Sequence, residues 1–215
     1  MSDSQLRQDI IDELEFDPSI YGEHIGVAVD NNVVSLAGHV NSYAEKLAAI
    51  AAARRVTGVH AIAENIDVRY PYQNKTNDDQ IAKRASDILK WDIMAPRDID
   101  VLVQDGWVTL SGHADWYYQK TAAEDDIRKL SGVRGVSNKI TIKPSVEADN
   151  VKSKIDAALK RLAEVEANAI HVTVKDGSKV ILEGKVENWD ERRAVENAAW
   201  STAGVESVED RLTIA

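Results

Sequence analysis

The sequence predicts an α+β protein of three tandem small αββαβ modules, each with two helices packed on one face of a three-stranded sheet. Three observations predict it. Ser35-Leu36-Ala37-Gly38-His39-Val40 returns as Thr109-Leu110-Ser111-Gly112-His113-Ala114 and again as Ile181-Leu182-Glu183-Gly184-Lys185-Val186. In each copy a second glycine, Gly58, Gly132 or Gly204, follows the first by 20 residues. Around these landmarks the apolar residues switch from helical spacing to strict alternation and back, in the same order three times. Self-similarity at a fixed period marks a repeated structural unit, and it divides the 215 residues into modules at 1–72, 76–144 and 148–215. Modules of this size fold alone around thin cores.

Each copy opens with a helix. Leu6, Ile10 and Leu14 form one apolar stripe, as do Ile81, Ala85 and Ile88 with Leu89, and Val151, Ile155, Leu159 and Leu162, while Asp, Lys and Arg occupy the other faces. A loop follows at Asp17-Pro18-Ser19, at Ala95-Pro96-Arg97 and near Glu166-Ala167-Asn168. The first strand alternates through Ile25, Val27 and Val29, then Ile99, Val101 and Val103, then Ile170, Val172 and Val174. Period two with branched side chains is the pattern of a strand with one buried face. Asp30-Asn31-Asn32, Asp105-Gly106 and Asp176-Gly177 tolerate positive φ and close a tight antiparallel hairpin onto the second strand.

The second helix starts on capping-box spacing, Ser42 with Glu45 and Asn188 with Glu191, while Asp115 is the cap expected in the middle copy. Its stripe of Ala49, Ala53 and Val56, of Ala123, Ile127 and Leu130, and of Val195, Ala199 and Thr202 is small enough to lie close on a sheet. The second glycine stands where this helix is expected to stop, since a left-handed residue there suits a side chain without Cβ. A third strand closes the module with Ile66 and Val68, Ile140 and Ile142, or Leu212 and Ile214. The connectors, 71–77 and 144–148, are short.

In this order and spacing, the apolar first helix, the V-x-V strand, the Asp-Gly turn, the V-x-L-x-G strand, the 20-residue gap to Gly-Val and the closing strand resemble the BON (bacterial OsmY and nodulation) domain in three copies. The resemblance implies two helices against a three-stranded sheet. It also implies a bacterial stress-associated protein that binds phospholipid or another envelope-surface ligand, and it brings no catalytic residue.

Composition narrows the function further. The net charge of −10 is spread over all three modules, with 6 basic and 11 acidic residues in 1–75, 10 and 12 in 76–147, and 10 and 13 in 148–215. No module is basic, which argues against nucleic acid as a partner. With no cysteine there are no disulfides, thiolate metal sites or thiol nucleophiles. The acidic N-terminus does not read as a signal peptide and no window is apolar enough to span a bilayer. The expected location is therefore cytoplasmic, or periplasmic for a product from which a leader has been removed.

Five residues beyond the first glycine each copy carries an aromatic, Tyr43, Tyr117 or Trp189, with Trp116 and Tyr118 beside the middle one. Such rings suit a lipid interface or ligand groove, and they equally suit a staple between helix start and sheet. The residue after the glycine is His39, His113 or Lys185, a potential cation for a phosphate or headgroup, or simply an exposed strand-edge cation. Trp91, Trp107 and Trp200 are not explained by the repeat. No metal-ligand spacing, phosphate loop or nucleophile motif occurs, so no cofactor is expected. Gly132-Val133-Arg134-Gly135 imitates an RNA-clamping G-x-x-G, but the other copies lack the second glycine, and it reads as a turn. Two functions remain open: a non-enzymatic binding or scaffold protein that engages phospholipid or an envelope-associated partner, and a cytosolic protein-interaction module with no lipid binding.

Overall fold

The computed structural model describes residues 2–70, 76–143, 150–162, 165 and 167–214. The connector residues 71–75 and 144–149, and Glu166 of the third loop, lie outside them. Two compact units divide the chain, Met1–Ser86 with Leu102–Thr109 and Asp126–Ser137 in one, and Asp87–Val101 with Leu110–Asp125 and Asn138–Ala215 in the other. The division runs through the second module.

Module one is built from α1 (Asp3–Phe16), β1 (Ile25–Asp30), β2 (Val33–Val40), α2 (Tyr43–Arg55) and β3 (Ala61–Val68). Module two repeats this as α3 (Asp78–Trp91), β4 (Ile99–Gln104), β5 (Trp107–Ala114), α4 (Tyr117–Ile127) and β6 (Gly135–Ile142). Module three follows with α5 (Val151–Leu159), β7 (Ile170–Lys175), β8 (Lys179–Val186), α6 (Trp189–Trp200) and β9 (Ser207–Ile214). In each sheet the middle strand of the sequence is also the middle strand in space. β1 runs antiparallel to β2, and β3, returning across α2, runs parallel to it; β7, β8 and β9 do the same.

The alternating residues explain the layering. Val34, Leu36 and Val40 of β2 turn inward onto Leu6, Ile10 and Leu14 of α1 and onto Ala49, Ala52 and Ala53 of α2. Val180, Leu182 and Val186 meet Val151, Ile155 and Leu159 in the same way. Leu162 departs from the expected helical stripe: α5 stops at Leu159 and Leu162 is exposed.

The first glycine of each repeat has a steric reason. At Gly38, Gly112 and Gly184 φ lies between +135° and +144°, and a Cβ there would collide with the carbonyl oxygen of His24, Asp98 or Ala169. Positive φ recurs at the second glycine, but the helices end earlier, at Arg55, Ile127 and Trp200, so this glycine turns the loop into the third strand rather than capping the helix. The first two hairpins have positive φ at both turn residues, Asn31-Asn32 and Asp105-Gly106, the geometry that matches strand twist. Asp3 accepts from the turn N–H groups of Asn31 (3.0 Å) and Asn32 (3.4 Å), and Asp78 does so from Asp105 (2.8 Å) and Gly106 (2.9 Å). The third turn is one residue longer, because Lys175 pairs with Lys179 across Asp176, Gly177 and Ser178.

Candidate functional site

The start of the second helix is held by a buried carboxylate in two modules. Glu45, within a capping box closed by Ser42 Oγ, accepts from the backbone N–H of Tyr21 (2.9 Å) and of Asn41 (2.8 Å). Glu191, capped by Asn188 Oδ1, accepts from Glu187 N–H at 2.7 Å. In module two Trp116 precedes the first helical residue, and Gln119 Oε1 accepts from Asp115 and Trp116 N–H at 3.0 Å each. The cap expected from Asp115 therefore gives way to a glutamine reaching back.

This frame places the repeated aromatics at the first helical position. Tyr43 is half-buried against the core of module one. Tyr117 is half-buried and stacks on Trp200 with centroids 4.3 Å apart and planes 11° apart. Burial pushes the Tyr117 phenol up, and Glu196, Glu124 and Asp125 act in the same direction. Trp189 is half-buried, with the Arg192 guanidinium 5.3 Å from its ring centre. Tyr118 is exposed.

The cationic position after the first glycine lies on the central strand, so the strand-edge placement is corrected. The His39 ring is half-buried and tilted at 45° to that of His24, centroids 4.7 Å apart. His113 Nδ1 is 2.6 Å from Thr141 Oγ1, and Lys143 Nζ is 3.0 Å from its Nε2. Since an ammonium only donates, Nε2 is the acceptor. Lys185 is exposed beside Thr213. The seven candidate side chains thus fall into two stations per module, the helix start and the central strand.

The largest exposed apolar side chains stand elsewhere. Phe16 is 82% exposed at the end of α1, and Trp91 is 86% exposed at the end of α3. Each lies two residues past the last buried leucine, Leu14 or Leu89, about 200° around the helix from the core stripe. Behind Trp91, Ile93 is 94% and Met94 49% exposed, while Ala95 and Pro96 beneath them are buried. Asp92 Oδ1 accepts from Met94 N–H at 2.8 Å and shapes this turn. In module one the exposed companion is Tyr21, whose N–H is the one held by Glu45. Trp91 was visible as an unexplained tryptophan; Phe16, Ile93 and Met94 were missed. Phe16 lies off the helical stripe; Ile93, four residues past Leu89, continues it, and is exposed because α3 ends at Trp91.

The charge around the two tips differs. Residues 13–24 contain four acids and no lysine or arginine, whereas residues 88–99 contain Lys90 and Arg97 against Asp92 and Asp98. Hydrogen bonds from the Ser19 side chain and backbone hold the Asp17 carboxyl below its usual range, with Arg55 adding to the effect.

Among the described residues, no group of three His, Asp or Glu side chains is arranged to hold a metal ion, and no helix is long and apolar enough to cross a membrane.

The BON domain family model matches residues 2–70, 77–144 and 147–215. The chain is 30% identical over 152 residues to osmotically-inducible protein Y of Escherichia coli strain K12, covering 66% of this chain and 74% of that protein. Among solved structures, CdsD, described as a structural protein of the type III secretion system of Chlamydia trachomatis, aligns at 17% identity over 98% of this chain and 92% of its own. A second structure, of the CdsD C-terminal domain, aligns at 16% over the whole of both chains. The TM-score is 0.27 in each case, too low to carry an argument.

Proposed function

Because the chain belongs to the BON domain family, we propose that it is a non-enzymatic, osmotic-stress-associated binding protein that docks on anionic phospholipid surfaces through the Trp91–Met94 turn of module two. The observation that carries this reading is the projection of Trp91, Ile93 and Met94 into solvent from one turn. Three large apolar side chains held off the core lose hydration when they enter the headgroup boundary, and tryptophan is favoured there. Lys90 and Arg97 flank the turn and match anionic headgroups. The stress association comes from the name of the Escherichia coli relative.

The non-enzymatic reading is supported by the clefts. One of about 420 Å³ in the first unit is bordered by Tyr70, Asp78, Asp105 and Arg134. Two of its groups are committed to structure: Asp78 holds the hairpin turn, and Tyr70 Oη donates to the Val133 carbonyl at 2.5 Å.

Co-sedimentation of the full chain with anionic and zwitterionic vesicles tests the reading. Binding to anionic vesicles, lost in a folded Trp91→Ser/Ile93→Ser variant and kept in a Tyr43→Ala/Tyr117→Ala/Trp189→Ala variant, is the expected result. No binding to anionic vesicles overturns it and leaves the protein-interaction reading.

A further inference from the structure

The helix pair is closed in module one and open in module three. Arg55 of α2 reaches across to α1, its Nε donating to Glu13 Oε1 at 2.9 Å and its Nη2 lying 2.8 Å from the same oxygen and 3.8 Å from Asp17 Oδ2. Beneath this clamp Ala52 is fully buried. Aligning the buried stripes places Ser201 at the station of Arg55, Ala158 at that of Glu13 and Leu162 at that of Asp17. All three clamp members are therefore replaced in module three by small or apolar side chains. The floor there, Ala198, is only half-buried, and the space between α5 and α6 opens into a groove of about 620 Å³.

Its walls have a definite charge. Lys154 and Arg161 line the groove, and no carboxylate does among the described residues. Residues 150–162 hold four basic side chains and one acidic. The opposite charge is carried by the stretch that holds the Phe16 tip: from Arg7 to Lys46 there are eight acids and no intervening lysine or arginine. That stretch carries an aromatic ring held almost wholly in solvent, flanked by Glu15 and Asp17.

We propose that the α5–α6 groove of module three receives the Phe16 tip of module one from a second copy of this chain. The ring lies on the alanine floor against Leu162, and the Glu15 carboxylate faces Lys154 and Arg161. The small floor allows close approach, and opposite charge sets the orientation and speeds encounter. The contact is smaller than the interfaces of stable dimers, so association is weak and concentration-dependent. It is also heterologous, since tip and groove are different surfaces. The proposal is independent of lipid docking by module two.

Light scattering on the full chain over a concentration series tests it. In about 0.1 M salt the mass is expected to climb above the monomer; in about 1 M salt, where the Debye length falls from about 10 Å to about 3 Å, it returns to the monomer. Phe16→Ser removes the tip, and Ala158→Glu with Ser201→Arg rebuilds in module three the clamp of module one. With folding checked by circular dichroism, each variant alone stays monomeric. Mixed, the two pair one to one and grow no further, because one supplies only a groove and the other only a tip. A parent that stays monomeric, association that survives either variant, or a mixture that fails to pair overturns the proposal. Vesicle binding by the same two variants reads the lipid proposal separately.

Discussion

Modules one and two expose an aromatic at the same station, Phe16 and Trp91, in different electrostatic settings. The first stands among Glu13, Glu15, Asp17 and Glu23, with Arg55 of α2 as the one cation set against them, on Glu13 and Asp17; the second has Lys90 and Arg97 balancing Asp92 and Asp98. An apolar tip by itself says only that something covers it. The surrounding charge selects what does. An acidic tip is repelled by an anionic headgroup layer and suits a basic groove, whereas a neutral tip with two flanking cations meets that layer without repulsion. On the two proposals, one fold station, repeated, serves two kinds of contact.

The most drastic way to break this contrast is to remove the apolar side chains of the second tip. Trp91→Ser with Ile93→Ser is expected to weaken binding to anionic vesicles roughly a hundredfold, from the loss of about 1.5–3 kcal/mol of burial for each side chain less what stays exposed. Phe16→Ser in the same sedimentation assay should leave binding unchanged. The contrast can also be erased from the other side. Glu15→Lys with Glu23→Lys should let module one contribute, raising vesicle affinity by about tenfold or more at about 1 kcal/mol per added cation near the surface, an increase that high salt removes.

A third prediction concerns what holds the start of the second helix. Glu45→Ala leaves the N–H groups of Tyr21 and Asn41 without their acceptor and should cost about 1–3 kcal/mol, read from the denaturant midpoint. Gln119→Ala removes neutral hydrogen bonds from Asp115 and Trp116 and should cost less, about 0.5–1.5 kcal/mol. The smallest effect is alkaline. Burial pushes the Tyr70 phenol up, so the folded state holds its proton to higher pH than the unfolded chain. The stability this contributes is complete below the usual tyrosine range and is lost as pH rises through the folded value. Thermal melts of the parent should weaken above about pH 10, and Tyr70→Phe should flatten that decline.

Much of the fold was legible because it is written in periodicity. The stripe of Leu6, Ile10 and Leu14, the alternation of Val34 and Leu36, and the glycine that must pass a carbonyl at Gly38 each fix local structure through neighbours close in sequence. The parallel return of β3 beside β2 was not stated by any local pattern, since alternation reports a buried face and not a strand's partner. Leu162 continued the apolar spacing, yet the helix stops three residues short of it. The candidate site was less legible for a related reason. Tyr43, Tyr117 and Trp189 recur with the repeat, and the repeat must reproduce its packing as well as its binding. Phe16 is an apolar residue at a helix end that only its angle from Leu14 distinguishes from core, and Ile93 and Met94 follow the end of α3, which the apolar spacing did not mark. The open groove needed both sides at once: Ser201 and Ala158 mean nothing until Arg55 and Glu13 are seen to touch.

The most direct measurement follows the Trp91 ring itself. A variant with Trp107, Trp116, Trp189 and Trp200 replaced by phenylalanine, checked for folding, leaves Trp91 as the sole tryptophan of the five. Titrated with anionic vesicles, its emission should shift to the blue and be quenched by lipids brominated near the headgroup end of the acyl chains. Emission that stays at the solvent-exposed wavelength and is untouched by brominated lipid, at vesicle concentrations that saturate the parent or exceed any physiological surface, would contradict docking through this turn.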